Sequence, residues 1–212
     1  MPAGAAAALT REAVVDEAAR LVAAGGYEAL NMRALADRLD VAPMTLYRHV
    51  QTKEDLLGAL ADRLMEELHL PKPGRRAWQE DVASVFISMH RLFLDHPELA
   101  EISARQRVAG PAAYRGAETV LAALRRGGIE GEAAASSFAA LVAYTLGFVL
   151  QQIHASAPSG LGQRLALLET LPAEDYPEVK ALGTGFLVRD SDQAFEDGLR
   201  ALLAGLAATQ GD

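Results

Sequence analysis

Leu30-Asn31-Met32-Arg33-Ala34-Leu35-Ala36-Asp37-Arg38-Leu39-Asp40-Val41-Ala42-Pro43-Met44-Thr45-Leu46-Tyr47-Arg48-His49-Val50 reads as two short helices joined by a tight turn. Asn31 is an N-cap residue, whose side chain satisfies an orphan amide of the first helical turn. The helix it opens is expected over Asn31–Leu39, with Leu35 and Leu39 on its buried side. Asp40-Val41-Ala42 is the connection, and Pro43 suits the first turn of a second helix over Pro43–His49. Two short helices so joined fit a helix-turn-helix. The second helix carries Met44, Thr45, Tyr47, Arg48 and His49, side chains able to reach base edges or phosphates. Lys53 opens the next helix, whose N-terminus also favours phosphate. A three-helix core takes Leu21, Leu35, Leu39, Val41 and Leu46 inside and leaves Arg33, Thr45, Arg48 and His49 outside. From spacing alone, a helical corner with a solvated basic face fits as well.

Outward from this stretch the chain stays helical. Thr10 caps a helix with Val14, Ala18, Leu21 and Val22 on one face, stopped at Gly25-Gly26. Thr52 followed by Asp55 has the form of a capping box with Asp in the Glu place, opening a helix through Leu56, Leu57, Leu60, Leu64 and Leu68. Pro71, Pro73 and Gly74 end it and give the best boundary in the chain. A DNA-binding domain is therefore expected over 1–70 and a larger helical domain over 75–212. In the latter, Trp78 to His96, Glu98 to Val108, Ala112 to Arg126, Glu132 to about Ser156, Pro177 to Val188 and Asp192 to Ala208 read as helices. The Glu132 helix is apolar on nearly all sides and is expected to be buried all round. Pro158 to Pro177 reads as irregular, with one turn at Leu165 to Leu168.

Composition agrees with an all-α fold. The 212 residues include 42 Ala and 31 Leu against only 25 Val, Ile and Thr, and β-branched residues are the strand formers. The absence of cysteine rules out a disulfide scaffold, a thiolate zinc site and a cysteine nucleophile. No secretory signal is read, and the most apolar run, Phe138 to Leu150, is short for a bilayer. The expectation is a cytoplasmic protein with no membrane partner. A net charge of −8 argues against nucleic acid as a sum, but distribution decides. Residues 31–53 carry Arg33, Arg38, Arg48 and Lys53 against Asp37 and Asp40.

The Arg33-Ala34-Leu35-Ala36 helix, the Val41 turn, Thr45-Leu46-Tyr47 and Lys53-Glu54-Asp55-Leu56-Leu57 occur in the order that resembles the N-terminal domain of TetR-family transcriptional regulators. Two residues depart from the pattern: Asp40 stands where Gly is frequent, and Met32 where Ser or Thr is. Trp78, His96-Pro97, Gly127-Gly128, Thr145-Leu146-Gly147 and Phe195 to Leu206 are similar to the C-terminal domain of the tetracycline-repressor subgroup. The resemblance implies an all-α homodimer whose last two long helices form a four-helix bundle with the partner, and a ligand cavity in the C-terminal domain. It also implies base-edge reading by Arg33, Met44, Thr45 and Arg48, packing of Pro43 on bases or sugar, and phosphate contacts from Tyr47, His49 and Lys53. Such phosphate contacts position a domain, whereas base contacts specify sequence.

No catalytic set emerges. Glu66-x-x-His69 resembles half of a di-iron motif without the other half, and neither a metal nor a cofactor is expected. His90 and His96 read as surface or cap residues. Ser136, Ser137, Ser156 and Ser159 lack an elbow motif, and Gly160-x-Gly162 is too weak for a phosphate site. Arg125-Arg126 suits a helix C-terminus. By the resemblance, His69 falls at a pocket entrance. Met89, Phe93, Gln106, Tyr144, Phe148 and Gln151 suit a mainly apolar pocket with a few polar groups; Gln151 and Gln152 also fit the dimer seam. Ser103 and neutral Gln151 stand where the subgroup has a metal-binding His and an acidic residue, so a metal–tetracycline chelate is not expected as effector. The expected function is a ligand-responsive regulator that binds palindromic operator DNA as a homodimer and is released by a small organic molecule. An all-α enzyme or ligand carrier with a helix-turn-helix-like corner is the alternative, and an activator on the same fold is not separable from a repressor.

Overall fold

The computed structural model describes residues 9–106, 108–155, 161–186 and 191–208. Ser156, Pro158, Ser159 and Gly160, singled out above, lie outside them. All regular structure among the described residues is helical: α1 Arg11–Gly25, α2 Met32–Arg38, α3 Pro43–Leu46, α4 Lys53–Met65, α5 Trp78–Asp95, α6 Pro97–Arg105, α7 Pro111–Arg126, α8 Gly131–Ala155, α9 Leu161–Thr170, α10 Pro177–Leu182 and α11 Asp192–Ala208, with short 3₁₀ turns at Tyr27–Ala29 and Gly183–Phe186.

Two compact units form. The first joins the residues up to His69 with Asp95–Glu118; the second joins Leu70–Leu94 with the residues from Thr119. In the first unit the local signals set the helix starts. Thr10 Oγ1 accepts from Ala13 N (3.1 Å), and Asn31 Oδ1 accepts from Ala34 N (2.8 Å). Thr52 Oγ1 accepts from Asp55 N, while Asp55 Oδ2 accepts from Gln51 N, both at 3.0 Å. Asp55 also pairs with Arg11 (2.8 Å), tying α4 to α1. Asp62 Oδ1 accepts from Ala112 N (3.0 Å) and Ala113 N (2.9 Å), so α4 caps the start of α7. A Cβ on Gly110 would meet that carboxylate. The core is Val14, Ala18, Val22, Leu35, Leu46, Val50, Leu56, Leu60 and Leu99.

In the second unit Val82, Val85, Phe86, Leu92, Phe93, Leu124, Leu141, Val149, Phe195 and Leu199 are buried. Buried Asp81 pairs with Arg126, and the Trp78 ring lies where a Cβ on Gly127 would project. Leu161–Thr170 is a full helix rather than one turn in an irregular stretch, since Leu161, Leu165 and Leu168 recur at helical spacing and Leu168 is buried. The α8 helix is not buried all round. Ala135, Ala139, Ala140 and Ala143 are exposed in the single chain, because only part of its circumference has neighbours. Gly131–His154 is, by length and composition, apolar enough to cross a bilayer, which the shorter run read from sequence was not.

Candidate nucleic-acid interface and effector-binding core

Helix α3 is four residues long, shorter than the Pro43–His49 expected, and continues as a turn. Its hydrogen bonds keep the helical sense: Thr45 N donates to Ala42 O (2.8 Å), and His49 N and Val50 N donate to Leu46 O (2.8 and 2.9 Å). Leu46 and Val50, four residues apart, are fully buried and fix which side faces the core. The other side is left in water. Met44 is 74% exposed and Tyr47 45%; Pro43 and Arg48 are exposed, and Thr45, His49 and Lys53 are half-buried. Arg33 on α2 is exposed too, and among the described residues no ion pair engages Arg33 or Arg48. Arg38 differs. It donates to Glu17, which also accepts from Arg20 (2.6 Å). Hydrogen bonds from the two guanidinium groups hold the Glu17 carboxyl below the usual glutamate range. Of the four cations counted in residues 31–53, Arg38 is therefore already committed.

The connection before α3 is strained. Asp40 has φ of 52°, the left-handed region that glycine enters freely and other residues pay to adopt. This accounts for the frequency of Gly at the matching position of the family pattern. A cleft of about 300 Å³ between α1 and α4, lined by Arg11, Glu12, Asp16, Asp62, Arg63 and Glu66, is too charged for an apolar ligand.

The residues read as pocket-forming divide between the units. Met89, Phe93, Tyr144, Phe148 and Gln151 belong to the second; His69 and Gln106 to the first. Met89 and Phe93 are buried on α5, whereas Gln151 and His69 are exposed. Gln106 Nε2 donates to Glu54 O (3.3 Å). Tyr144 donates its hydroxyl to Phe195 O (2.9 Å), over Gly198, whose missing Cβ makes the room. Burial, and then the nearby Asp197 charge, push the Tyr144 phenol above its usual range.

His90 is the residue that sequence reading misplaced. It is 1% exposed, not a surface or cap histidine. Its ring stacks on Phe195 with centroids 4.0 Å apart, and its Nε2 donates to Gln152 Oε1 (2.6 Å). The signal was present: Phe86 precedes it by four residues and Phe93 follows by three, which puts His90 on the apolar stripe. His96 does stand at the N-cap position of α6, within 3.6 Å of Glu67 and 3.5 Å of Glu98. The α5–α8–α11 core is thus an aromatic cluster of His90, Tyr144, Phe148 and Phe195. Beside it, α8 and α11 leave small and apolar side chains in water, Leu202 among them at 38% exposure.

Residues 14–60 match the family described as "Bacterial regulatory proteins, tetR family", and residues 70–210 match "Tetracyclin repressor-like, C-terminal domain". An HTH-type transcriptional regulator of Saccharopolyspora erythraea is 36% identical over 96% of this chain and 86% of its own length. The class D tetracycline repressor of Escherichia coli is 33% identical over 94% of this chain and 89% of its own. Among solved structures, Streptomyces coelicolor ActR in complex with (S)-DNPA aligns with a TM-score of 0.88 and 34% identity, covering 97% of this chain and 100% of that one. ActR has also been solved with actinorhodin, with a TM-score of 0.89 and 33% identity over the same coverage.

Proposed function

The chain belongs to the TetR family of bacterial regulatory proteins and is a transcriptional regulator, and from that membership we propose a cytoplasmic repressor, not an enzyme, that holds a two-fold symmetric operator as a homodimer and lets go when a small organic molecule binds. One observation carries the DNA half of this reading: Met44, Tyr47 and Arg48 stand in water on a turn whose opposite side is locked by fully buried Leu46 and Val50. Arg33, Met44, Thr45 and Arg48 are assigned to base edges, Pro43 to base or sugar packing, and Tyr47, His49 and Lys53 to phosphates. The acidic total is no obstacle, because Arg33 and Arg48 are exposed and no ion pair engages them among the described residues.

The exposed small-residue faces of α8 and α11 support a dimer. Ala139, Ala140, Ala143 and Gly205 admit close helix approach, and Leu202 supplies apolar surface to cover. The same covering accounts for the apolar length of α8 without a membrane. For the effector, the aromatic core favours a flat, mainly apolar organic molecule; ActR, about one third identical, holds (S)-DNPA and actinorhodin. Met89, Phe93, Tyr144, Phe148 and Gln151 of the second unit are its assigned lining. A metal chelate is disfavoured by neutral Ser103 and Gln151. The test is a duplex titration at rising salt with and without actinorhodin or (S)-DNPA, the molecules held by ActR. Log affinity should fall linearly with log salt as counterions are released, and an apolar aromatic ligand without added Mg²⁺ should weaken binding by shifting the dimer to a state it binds better. Release by tetracycline only in the presence of Mg²⁺ would overturn the effector assignment; salt-independent binding would overturn the operator reading.

A further inference from the structure

We propose that Met44 reads the C5-methyl group of a thymine in the operator, placed within about two base pairs of the guanine contacted by Arg48. The proposal rests on operator binding through α3 as set out above and adds what that surface recognises.

Met44 is the most exposed of the large apolar side chains in the described residues. Its two predecessors, Ala42 and Pro43, are exposed as well. The leading edge of the recognition turn therefore offers no hydrogen-bond donor from any side chain. Such an edge cannot read the donor and acceptor pattern of the major groove. The apolar feature on the major-groove base edges is the thymine C5-methyl, which cytosine lacks. A methionine is suited to reach it, being unbranched, flexible and polarizable. The alternative, leaving this surface in water permanently, gains nothing for a chain whose neighbouring Leu46 and Val50 are buried completely.

Register follows from the same turn. Leu46 and Val50 face the core four residues apart; Met44 and Arg48, each offset by two, share the opposite side. Four helical residues rise about 6 Å, and successive base pairs about 3.4 Å. Arginine pairs bidentately with guanine O6 and N7. A thymine and a guanine thus fall within about two base pairs in each half-site. Charge agrees with this placement, since Arg33 and Arg48 are both exposed and make no ion pair among the described residues.

The test uses the full-length protein and the duplex it selects from a random pool. Each thymine of a half-site is replaced in turn by deoxyuridine, which deletes only the methyl group. The unsubstituted protein should lose affinity about fourfold at one thymine per half-site, the worth of one methyl withdrawn from apolar contact. Met44→Ala should show no deoxyuridine loss at that position, whereas Met44→Leu and Arg48→Ala should keep it. Both positions are exposed, and circular dichroism establishes that the three variants fold. Equal deoxyuridine losses for Met44→Ala and the unsubstituted protein, or a selected operator with no sensitive thymine near the Arg48-dependent guanine, would overturn this assignment and leave operator binding standing. Failure to select any duplex would overturn operator binding and this assignment together.

Discussion

Arg38, in the last turn of α2, donates to the buried carboxylate of Glu17 on α1. The pair locks the first two helices together and removes one guanidinium from the groove-facing set. Glu17 is ionised at neutral pH, and hydrogen bonds from Arg20 and Arg38 hold its pKa below that of the unfolded chain. A lowered native pKa means that the stabilisation is complete above the unfolded value, about 4.3 for glutamate, and is lost as pH falls from there through the native value. Glu17→Ala should cost about 2 kcal/mol at pH 7, within the range for hydrogen bonds to charged groups. Urea denaturation of both proteins should show the difference shrinking below about pH 4, and a gap that widens on acidification would contradict the pairing.

Asp40 carries the strain of the turn between α2 and α3. Replacing it with a β-branched residue forces a bulkier chain into the left-handed region, while glycine enters it freely. Asp40→Val should be less stable than Asp40→Gly by about 1–2 kcal/mol. Denaturant midpoints with unchanged slopes measure this directly, and equal midpoints would show that the turn relaxes to another conformation.

Leu202 is exposed on the unpartnered face of α11. Leu202→Arg places a charge that a single chain tolerates and a buried seam does not. Light scattering should report a monomer with unchanged helical circular dichroism. A dimer that survives would move the seam off α11.

Arg48→Ala should weaken binding to the selected duplex by about 1–3 kcal/mol, the worth of a bidentate base pairing. It should leave dimer mass alone. Equal weakening on selected and random duplexes would reassign Arg48 to the phosphates.

Most of the first unit was legible because its signals are local. Asn31, Thr52 with Asp55, and Pro43 each act within one turn, and Leu35 and Leu46, read as inside, are fully buried; Leu21, Leu39 and Val41, read as inside too, are only half-buried, and Val50, not read as core, is fully buried. What was hidden depends on contacts made far along the chain. That Arg38 belongs to Glu17 rather than to DNA is decided across a helix interface. His90 is the exception: Phe86 and Phe93 mark it locally as part of the apolar stripe, and only its stacking partner Phe195 is distant in sequence. Burial of α8 was over-read because a helix apolar on all sides does not say how many of its neighbours come from the same chain. The α9 helix was missed because flanking Gly and Pro residues outweighed the spacing of Leu161, Leu165 and Leu168.

The most direct measurement of the central claim is selection of bound duplexes from a random pool by the purified protein, followed by sequencing. Operator reading through α3 predicts a two-fold symmetric consensus whose half-sites repeat about 34 Å apart, one helical turn, or somewhat more, each with a guanine whose enrichment disappears for Arg48→Ala. A pool that stays random, or an enriched sequence without two-fold symmetry, would contradict the account.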